Sequence, residues 1–434
     1  MLGPPSRDGL DKVLEAAASK ARAEARAEFE RARGTARRWI HRLLGILQEQ
    51  PLDETDFVSS SGYGYGDRGR EAVERVFAKL MGAEKALVRP QLATGTQAIV
   101  ASLKAHLRPG DVLLSITGPP YDTLLTVIGW PQQHPGSLVE RGVRFQCADV
   151  VLPHGLDLVA LERHLKQLRP KVVFIQRSPG YQFKRAATQE ELARMIEVVK
   201  SAACQPLCIV DNCYGEFVGD REPPGMGADL ACGSLIKNPG GGVVPTGGYI
   251  VGTTAAVEAA AREITGVGSE VGPTLGFSRL LLQGLFLAPQ VVAEALAAAA
   301  FVSRLFHELG FDVLPRPGEP RNHIVQAVKL GTADWVKRFC RAVQRTGPVG
   351  SHLLPEPAPL PGYDDQVVMA APGFIQGSSI ELSADAPLRP PYVVYFQGSL
   401  CWYHAEMAAL SAAREILSAP SAGTPQAGHE RLPH

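Results

Sequence analysis

The chain has 434 residues, of which 45% are hydrophobic and 20% are charged, with 44 basic and 44 acidic side chains. A chain with this apolar fraction buries enough surface to fold, so the composition excludes wholesale disorder. The balance of charges excludes a nucleic-acid binder that depends on bulk electrostatic attraction. The length predicts two or three domains.

The chain begins with a pattern that is typical of a long helix. Residues 11–48 are rich in Ala, Glu, Arg and Leu, and Gly34 and Gly45 are the only breaks. We expect residues 1–50 to form a helical arm with a solvated face, and packing of this arm against another subunit stays open. The opening residues lack the apolar core of a secretory signal, which predicts a cytoplasmic protein with reduced thiols.

From residue 51 onwards, apolar runs of strand length alternate with segments of helix length. The predicted strands are Asp111–Ile116, Arg144–Cys147, Lys171–Gln176, Pro206–Asp211 and Gly248–Gly252. The predicted helices between them include Gly95–Leu107, Leu156–Leu168 and Thr188–Ser201. This alternation predicts an α/β fold with a mostly parallel sheet that is covered by helices on both faces. Ligands of such sheets bind beyond the carboxyl ends of the strands.

The second half of the chain predicts a smaller domain. The apolar stretch Leu280–Phe306 is interrupted by polar residues, so it fits a buried helix better than a membrane span. A helix at Pro289–Leu309 is expected to lead out of the large domain. We therefore expect a large domain at 51–295, a small α/β domain at 296–417 and a flexible tail at 418–434.

Two charged residues in apolar surroundings indicate the chemistry. Asp211 ends a predicted buried strand, and Lys237 lies between apolar residues and the run Gly240–Gly242. Desolvation lowers the pKa of a lysine and makes a neutral, nucleophilic amine available. In a pyridoxal-phosphate site, the lysine carries the Schiff base and the acid keeps the pyridine nitrogen protonated. The pair favours such a site over an ordinary strand-end carboxylate and an exposed loop lysine.

Three further positions fit the same cofactor. Thr94, Gly95 and Thr96 open a predicted helix, whose first N–H groups and dipole suit a phosphate, although a plain N-cap has the same pattern. Ser234 lies three residues before the lysine and adds a hydroxyl to the same phosphate. Tyr121 follows a predicted strand end and is expected to stack on the pyridine ring, with a packed turn tyrosine as the alternative.

These elements, in this order, resemble the fold-type-I pyridoxal-phosphate enzymes. The closer resemblance is to the aluminium resistance protein family, which is described as similar to methionine gamma-lyase and the cystathionine lyases. It covers residues 57–417 and is carried by Ser61–Arg70, Arg89–Thr96, Pro120–Thr123, Gln176–Tyr181, Ile209–Phe217, Ser234–Gly242 and Gln376–Asp385. The resemblance implies a transferase-like fold of type I, with a seven-stranded, mostly parallel sheet and a smaller C-terminal α/β domain.

The resemblance also implies a homo-oligomer, a dimer of catalytic dimers whose active sites are shared between subunits. In the related lyases, a Tyr and an Arg from the neighbouring subunit reach the cofactor phosphate. Tyr63, Tyr65 and Arg68 lie at the matching stage of this chain, and which tyrosine serves stays open. The same stretch, Gly64–Gly69, formally matches a dinucleotide fingerprint, but no apolar strand precedes it. A glycine-rich loop at a subunit interface is the better explanation.

An arginine is the expected anchor for the substrate carboxylate, because its planar guanidinium matches a carboxylate bidentately. Fold-type-I enzymes commonly supply it from the small domain. Arg389, which follows a strand predicted at Ser379–Ser383, is the first choice, and Arg177 is the second. A surface salt bridge is the alternative for either. No carboxylate or histidine cluster predicts a metal site.

The predicted function is that of a pyridoxal-phosphate enzyme acting on an amino acid as its small-molecule substrate, and in particular of a carbon–sulfur lyase. Lys237 removes the α-proton, Asp211 faces the protonated ring, and Tyr121 serves as acid for the leaving group. Transamination, or another elimination or replacement, fits the same cofactor because a fold does not select the reaction. A third hypothesis is a cofactor-binding regulatory or resistance protein with little turnover. This hypothesis is favoured if Arg389 points away from the cofactor. Neither a nucleic acid nor a membrane is an expected partner.

Overall fold

The computed structural model describes residues 7–58, 66–266 and 276–418. The helices are α1 (Arg7–Glu49), α2 (Arg68–Met81), α3 (Gly95–His106), α4 (Asp122–Ile128), α5 (Leu158–Leu168), α6 (Gln189–Ser201), α7 (Thr254–Thr265), α8 (Ser278–Glu308), α9 (Ala333–Arg345) and α10 (Trp402–Leu417). The strands before α8 are β1 (Lys85–Arg89), β2 (Val112–Ser115), β3 (Arg144–Cys147), β4 (Val151–Leu152), β5 (Gly155–Leu156), β6 (Val172–Gln176), β7 (Leu207–Asp211), β8 (Leu230–Ser234) and β9 (Gly248–Gly252). Those after α8 are β10 (Asp312–Leu314), β11 (Gln326–Lys329), β12 (Val367–Ala370), β13 (Ser383–Pro387) and β14 (Val393–Gln397).

The first sheet has seven strands in the order β1-β9-β8-β7-β6-β2-β3. Strands β3, β2, β6, β7 and β8 are parallel, and β9 alone runs against both of its neighbours. The central strands are buried along their whole length except for Leu207 at the start of β7, which explains their apolar composition. The predicted mostly parallel, seven-stranded α/β sheet is thereby confirmed, and its carboxyl edge is where a ligand is expected.

The second sheet belongs to the C-terminal part of the chain and is antiparallel. Its order is β10-β11-β14-β13-β12, and helices α9 and α10 contribute to the same hydrophobic core. The strand predicted at Ser379–Ser383 is wrong in its bounds, because the pairing strand β13 begins only at Ser383. Ser, Asp and Pro have low strand propensity, and pairing with strands on both sides overrides it.

The two long helices α1 and α8 join the two halves of the molecule. The first half of α1, with Leu10, Leu14 and Phe29, packs into the core of the C-terminal sheet, and its second half, with Trp39 and Leu43, packs into the core of the large sheet. The arm is therefore not solvated all round: one face is buried against its own chain.

Helix α8 is longer than predicted, because it starts at Ser278 rather than Pro289. Pro289 lies inside the helix, and the expected boundary at residue 295 falls within it as well. This helix is long and apolar enough to cross a membrane, yet 67% of its most apolar stretch is buried inside the protein. Among the described residues it is the only helix of that kind, and it is a core helix here.

The glycine run after Lys237 is tightly packed rather than loose. A Cβ atom on Gly241 would stand 2.4 Å from the carbonyl oxygen of Gly284 in α8, and a Cβ atom on Gly284 would stand 2.5 Å from that of Gly240. Gly241 also adopts a left-handed φ of 55°. These glycines let α8 approach the backbone that follows Lys237, and they fix the position of that lysine.

Candidate active site

A cavity of about 250 Å³ lies between the carboxyl edge of the large sheet and the antiparallel sheet. Residues from both sheets line it. The wall from the large sheet comprises Ala93, Thr94, Gly95, Thr96, Tyr121, Thr123, Gln176, Ser178, Gly180, Tyr181, Asp211, Cys213, Tyr214, Ser234, Ile236 and Lys237. The other wall comprises Val325, Tyr363, Met369, Ser378, Asp385, Tyr395 and Gln397. Seven of the predicted site residues therefore surround one cavity.

The N-terminus of α3 opens into this cavity. Thr94 caps the helix by accepting a hydrogen bond at 3.1 Å from the Gln97 N–H. The N–H groups of Gly95 and Thr96, which open the first turn, have no partner within the helix, so they are available to an anion. A Cβ atom on Gly95 would lie 3.1 Å from both the Cys213 sulfur and the Ser234 Cβ, so glycine lets this helix end approach the strand end that carries Ser234. Helix end and serine together form a cradle for a phosphate.

Asp211 ends β7 in the centre of the sheet and is only 4% exposed. Its Oδ1 accepts a hydrogen bond at 3.1 Å from the Cys213 N–H. Burial raises the pKa of Asp211, while the Cys213 N–H and the Lys237 ammonium partly offset that rise. The carboxyl group is thus held in place by the backbone and faces the lysine across the cavity edge.

Lys237 follows β8 and is half-buried, with its amine turned into the cavity. The Nζ atom lies 3.6 Å from the centroid of the Tyr214 ring, a cation–π contact. The prediction of a lowered pKa is wrong for the protein alone. Burial lowers the pKa of Lys237, but Tyr214, Cys213 and Asp211 surround the ammonium and together raise it.

Tyr121 lies at the start of α4 and packs against the opening of α3. Its hydroxyl is 2.8 Å from the Thr96 hydroxyl, and its N–H donates at 2.9 Å to Oε1 of Gln176 at the end of β6. Burial, followed by the charge of Asp211, raises the pKa of Tyr121 well above its ordinary value. The phenol therefore keeps its proton at neutral pH.

The wall from the antiparallel sheet carries a carboxyl group that the sequence analysis missed. Asp385 in β13 is 2% exposed, and its Oδ2 accepts a hydrogen bond from the Ser378 hydroxyl. Burial raises the pKa of Asp385 to about 6, with Ser378, Lys237 and Tyr181 partly offsetting the rise. Its only signal in the sequence was its place at the end of the segment Gln376–Asp385.

Tyr214 was missed as well. It takes a left-handed φ of 69°, which is uncommon for a bulky residue, and its hydroxyl accepts at 3.2 Å from the amide of Gln397. The segment Ile209–Phe217 contains it, but only the tertiary contacts show that its ring meets the lysine.

Arg177 does not line the cavity. Its side chain is wholly buried behind Asp211, where it donates at 2.5 Å to Asn212 and to Asn322 and forms an ion pair at 3.2 Å with Glu222. These partners engage Nη1 and Nη2 of the guanidinium, while Nε has no hydrogen-bond partner among the described residues. Arg177 therefore has a structural position and not that of a substrate anchor.

Arg389 does not line the cavity either. It forms ion pairs with Asp122 at 3.3 Å and Asp365 at 3.0 Å, at the join between the two sheets. This orientation favours the hypothesis of a cofactor-binding regulatory or resistance protein with little turnover. A measurement of turnover tests that hypothesis. Arg68 is exposed and pairs with Asp53 and Asp56, while Tyr63 and Tyr65 lie outside the described residues.

The residues present fit pyridoxal phosphate. The cavity offers an amine for the aldehyde, a buried carboxyl group for the pyridine nitrogen, a ring for stacking and a helix N-terminus with a serine for the phosphate. Within the described ranges no group of His, Cys, Asp and Glu side chains is arranged to hold a metal ion. The donor set lining the cavity suits an organic phosphate.

Comparison with known proteins agrees with this architecture. The fold is that of the fold-type-I pyridoxal-phosphate enzymes: YhfS from Escherichia coli, described as dependent on pyridoxal 5'-phosphate, superimposes with a TM-score of 0.59 at 19% identity, over 87% of this chain and 95% of YhfS. At that identity the likeness concerns the fold alone.

The chain belongs to the methionine gamma-lyase family, whose model matches residues 14–417. A carbon-sulfur lyase involved in aluminum resistance from Clostridium novyi NT is 41% identical, with a TM-score of 0.87 over 93% of this chain and 96% of that structure. The uncharacterized protein YnbB of Bacillus subtilis (strain 168) is 42% identical over 379 residues, which are 87% of this chain and 90% of YnbB. The resemblance inferred from the sequence motifs is confirmed.

Proposed function

We propose that the protein is a pyridoxal-phosphate-dependent carbon–sulfur lyase that acts on an amino acid. The observation that carries the proposal is the meeting of Lys237, Asp211 and the α3 N-terminus in one cavity. Membership of the methionine gamma-lyase family, and the likeness to a carbon-sulfur lyase from Clostridium novyi NT, support this reaction over transamination.

Each part of the cofactor has residues to hold it. Lys237 would hold it covalently through Nζ, and Asp211 would accept a hydrogen bond from the pyridine nitrogen. Thr94, Gly95 and Thr96, with Ser234, would donate hydrogen bonds to the phosphate. Bound pyridoxal phosphate supplies an electron sink that stabilises negative charge at the α-carbon of an amino acid.

The proton transfers fall to two side chains. Lys237 Nζ, once it is neutral, accepts the α-proton of the amino acid, and binding of the cofactor offsets the raised pKa of the free ammonium. Tyr121 keeps its proton at neutral pH and donates it from the phenol oxygen to the sulfur that leaves. The close contact of its hydroxyl with Thr96 orients that donor.

Assembly and location are part of the same proposal. The resemblance to the lyases supports a dimer of dimers with shared sites, in which Tyr63, Tyr65 and Arg68 would serve the neighbouring subunit. Seven free thiols support a reducing, cytoplasmic location. Light scattering on the eluting protein measures the assembly, and a monomeric mass would contradict it.

The experiment that tests the function is a product assay on the loaded enzyme. L-methionine, L-cystathionine and L-cysteine are supplied in turn, and thiol or sulfide, ammonia and keto acid are measured separately. A lyase releases all three products in equal amounts. Keto acid without a sulfur product, and only when an acceptor keto acid is present, would instead identify an aminotransferase. Absence of every product would support the hypothesis of a cofactor-binding protein with little turnover.

A further inference from the structure

Asp385 places an unpaired buried oxygen on the wall of the cavity. Oδ2 accepts a hydrogen bond from the Ser378 hydroxyl, whereas Oδ1 has no partner within hydrogen-bond distance among the described residues. Met369 and Tyr395 lie directly opposite Asp385 on the two neighbouring strands, and both line the cavity. Residues directly opposite in antiparallel strands share a face, so the carboxyl group is turned to the cavity as well.

The charges around the cavity do not balance once the cofactor is bound. The charged side chains in the described part of its lining are Asp211, Lys237 and Asp385. In the proposed function, the cofactor engages both Lys237 and Asp211. Asp385 is then a buried carboxylate without a counter-ion, and such a group is costly unless a cation pairs with it.

Three tyrosine rings stand beside this carboxyl group. The ring centroid of Tyr181 is 5.7 Å from that of Tyr363 and 5.1 Å from that of Tyr395. Burial raises the pKa of all three phenols, so the rings are neutral at physiological pH. Aromatic faces next to a carboxylate are typical of sites that recognise a positive charge.

We propose that Asp385, with Tyr181, Tyr363 and Tyr395, forms a subsite for a positively charged group at the end of the substrate's side chain. The preferred substrates are thus amino acids whose side chain ends in an ammonium or another cation. This inference rests on the proposed function for the place of the cofactor and specifies the substrate class of the same cavity.

A binding series on the loaded wild-type enzyme tests the subsite without any turnover. L-Lysine, L-norleucine and L-2-aminoadipate have side chains of similar length that are cationic, neutral and anionic. We expect calorimetry to show L-lysine binding roughly 10- to 100-fold more tightly than L-norleucine, the range of a hydrogen bond to a charged group. L-2-Aminoadipate should bind most weakly. Equal affinities, or a preference for the anion, would overturn the proposal.

A variant assigns the effect to the carboxyl group. Asp385→Asn keeps the shape and an acceptor for Ser378, and it should bring the ratio of L-lysine to L-norleucine affinity to about one. Asp312→Asn, in the same sheet but paired with Lys329 at the surface, should keep the wild-type ratio. If Asp385→Asn weakens both ligands equally, the carboxylate contacts the shared α-amino group and the proposal is wrong.

The ratio should also depend on pH. Because burial raises the pKa of Asp385 to about 6 in the protein without cofactor, the preference for L-lysine should grow as the pH rises through and above that value. The three tyrosines keep their protons over this range, and Lys237 and Asp211, which the cofactor engages, affect both ligands alike. A flat ratio in the wild type would contradict the role of Asp385.

Turnover separates this inference from the proposed function. S-(2-Aminoethyl)-L-cysteine and S-propyl-L-cysteine differ in the terminal charge, and elimination converts each with water into thiol, pyruvate and ammonium. The cationic substrate should have the higher kcat/KM by a similar factor. If neither is cleaved while L-lysine still binds more tightly, the lyase proposal fails and the subsite stands. If both are cleaved equally well, the lyase stands and the subsite fails.

Discussion

The two walls of the cavity are built differently. The wall from the parallel sheet places Asp211, Ser234 and Lys237 at or just after the ends of adjacent central strands, with the α3 N-terminus beside them. The wall from the antiparallel sheet presents Asp385 and Tyr395 from the middle of paired strands. The first wall carries the groups that would hold the phosphate and the aldehyde of the cofactor. The second wall carries groups that would contact the side chain of the substrate. Under the two proposals, cofactor binding belongs to the first wall, and substrate selection depends mainly on the second wall, to which the first adds Tyr181.

The largest effect is expected at the lysine of the first wall. Under the proposed function, Lys237→Ala removes both the group that attaches the cofactor and the general base. A general base alone contributes about 10²- to 10⁴-fold, so turnover should fall by roughly 10³-fold or more. The visible absorbance of the bound cofactor should vanish with it. Lys329→Ala, a surface lysine of the second sheet, should change neither. A Lys237→Ala protein with full lyase activity would refute the assignment.

The next effect concerns stability behind the first wall. Arg177→Met leaves Glu222 buried without its cation, which should lower the free energy of unfolding by about 3–5 kcal/mol. Urea denaturation measures this change, and Arg338→Met, at an exposed pair with Asp334, is the matched control. A raised KM with unchanged stability would instead make Arg177 a substrate anchor.

A smaller effect on catalysis is expected at the carboxyl group of the first wall. Asp211→Asn keeps the size but loses the charge that faces the pyridine nitrogen. A hydrogen bond to a charged group contributes about 1.5–3 kcal/mol, so kcat should fall roughly 10- to 150-fold. Steady-state kinetics with saturating cofactor measure it. A variant with unchanged kcat would place Asp211 outside the chemistry.

The smallest effect is expected where the two walls join. Arg389→Gln breaks half-exposed ion pairs with Asp122 and Asp365, and such pairs contribute about 0–1 kcal/mol. The midpoint of thermal unfolding should therefore shift little, and KM should stay close to the wild-type value. A large rise in KM would show that Arg389 leaves its partners to bind the substrate carboxylate.

The first wall could be predicted from the sequence because its residues follow strands with clear apolar patterns. The predicted strand at Pro206–Asp211 places Asp211 at the sheet edge, and the small residues at Thr94–Thr96 indicate a helix start. The second wall could not be predicted in the same way. Strand β13 consists of Ser, Ala, Asp, Ala and Pro, so its pairing, and with it the direction of Asp385, depends on contacts with distant strands.

The direction of the pKa shift of Lys237 could not be predicted for a related reason. The apolar neighbours in the sequence indicate desolvation, which lowers the pKa. The groups that reverse the shift, Tyr214 and Cys213, follow a different strand and meet the ammonium only in the folded protein. A local sequence pattern does not contain that contact.

The most direct test of the account is to reduce the loaded protein with borohydride and to locate the cofactor by mass spectrometry of its peptides. The account predicts a single added pyridoxyl phosphate, on Lys237. A label on any other lysine, or no label on a protein that retains its fold, would contradict it.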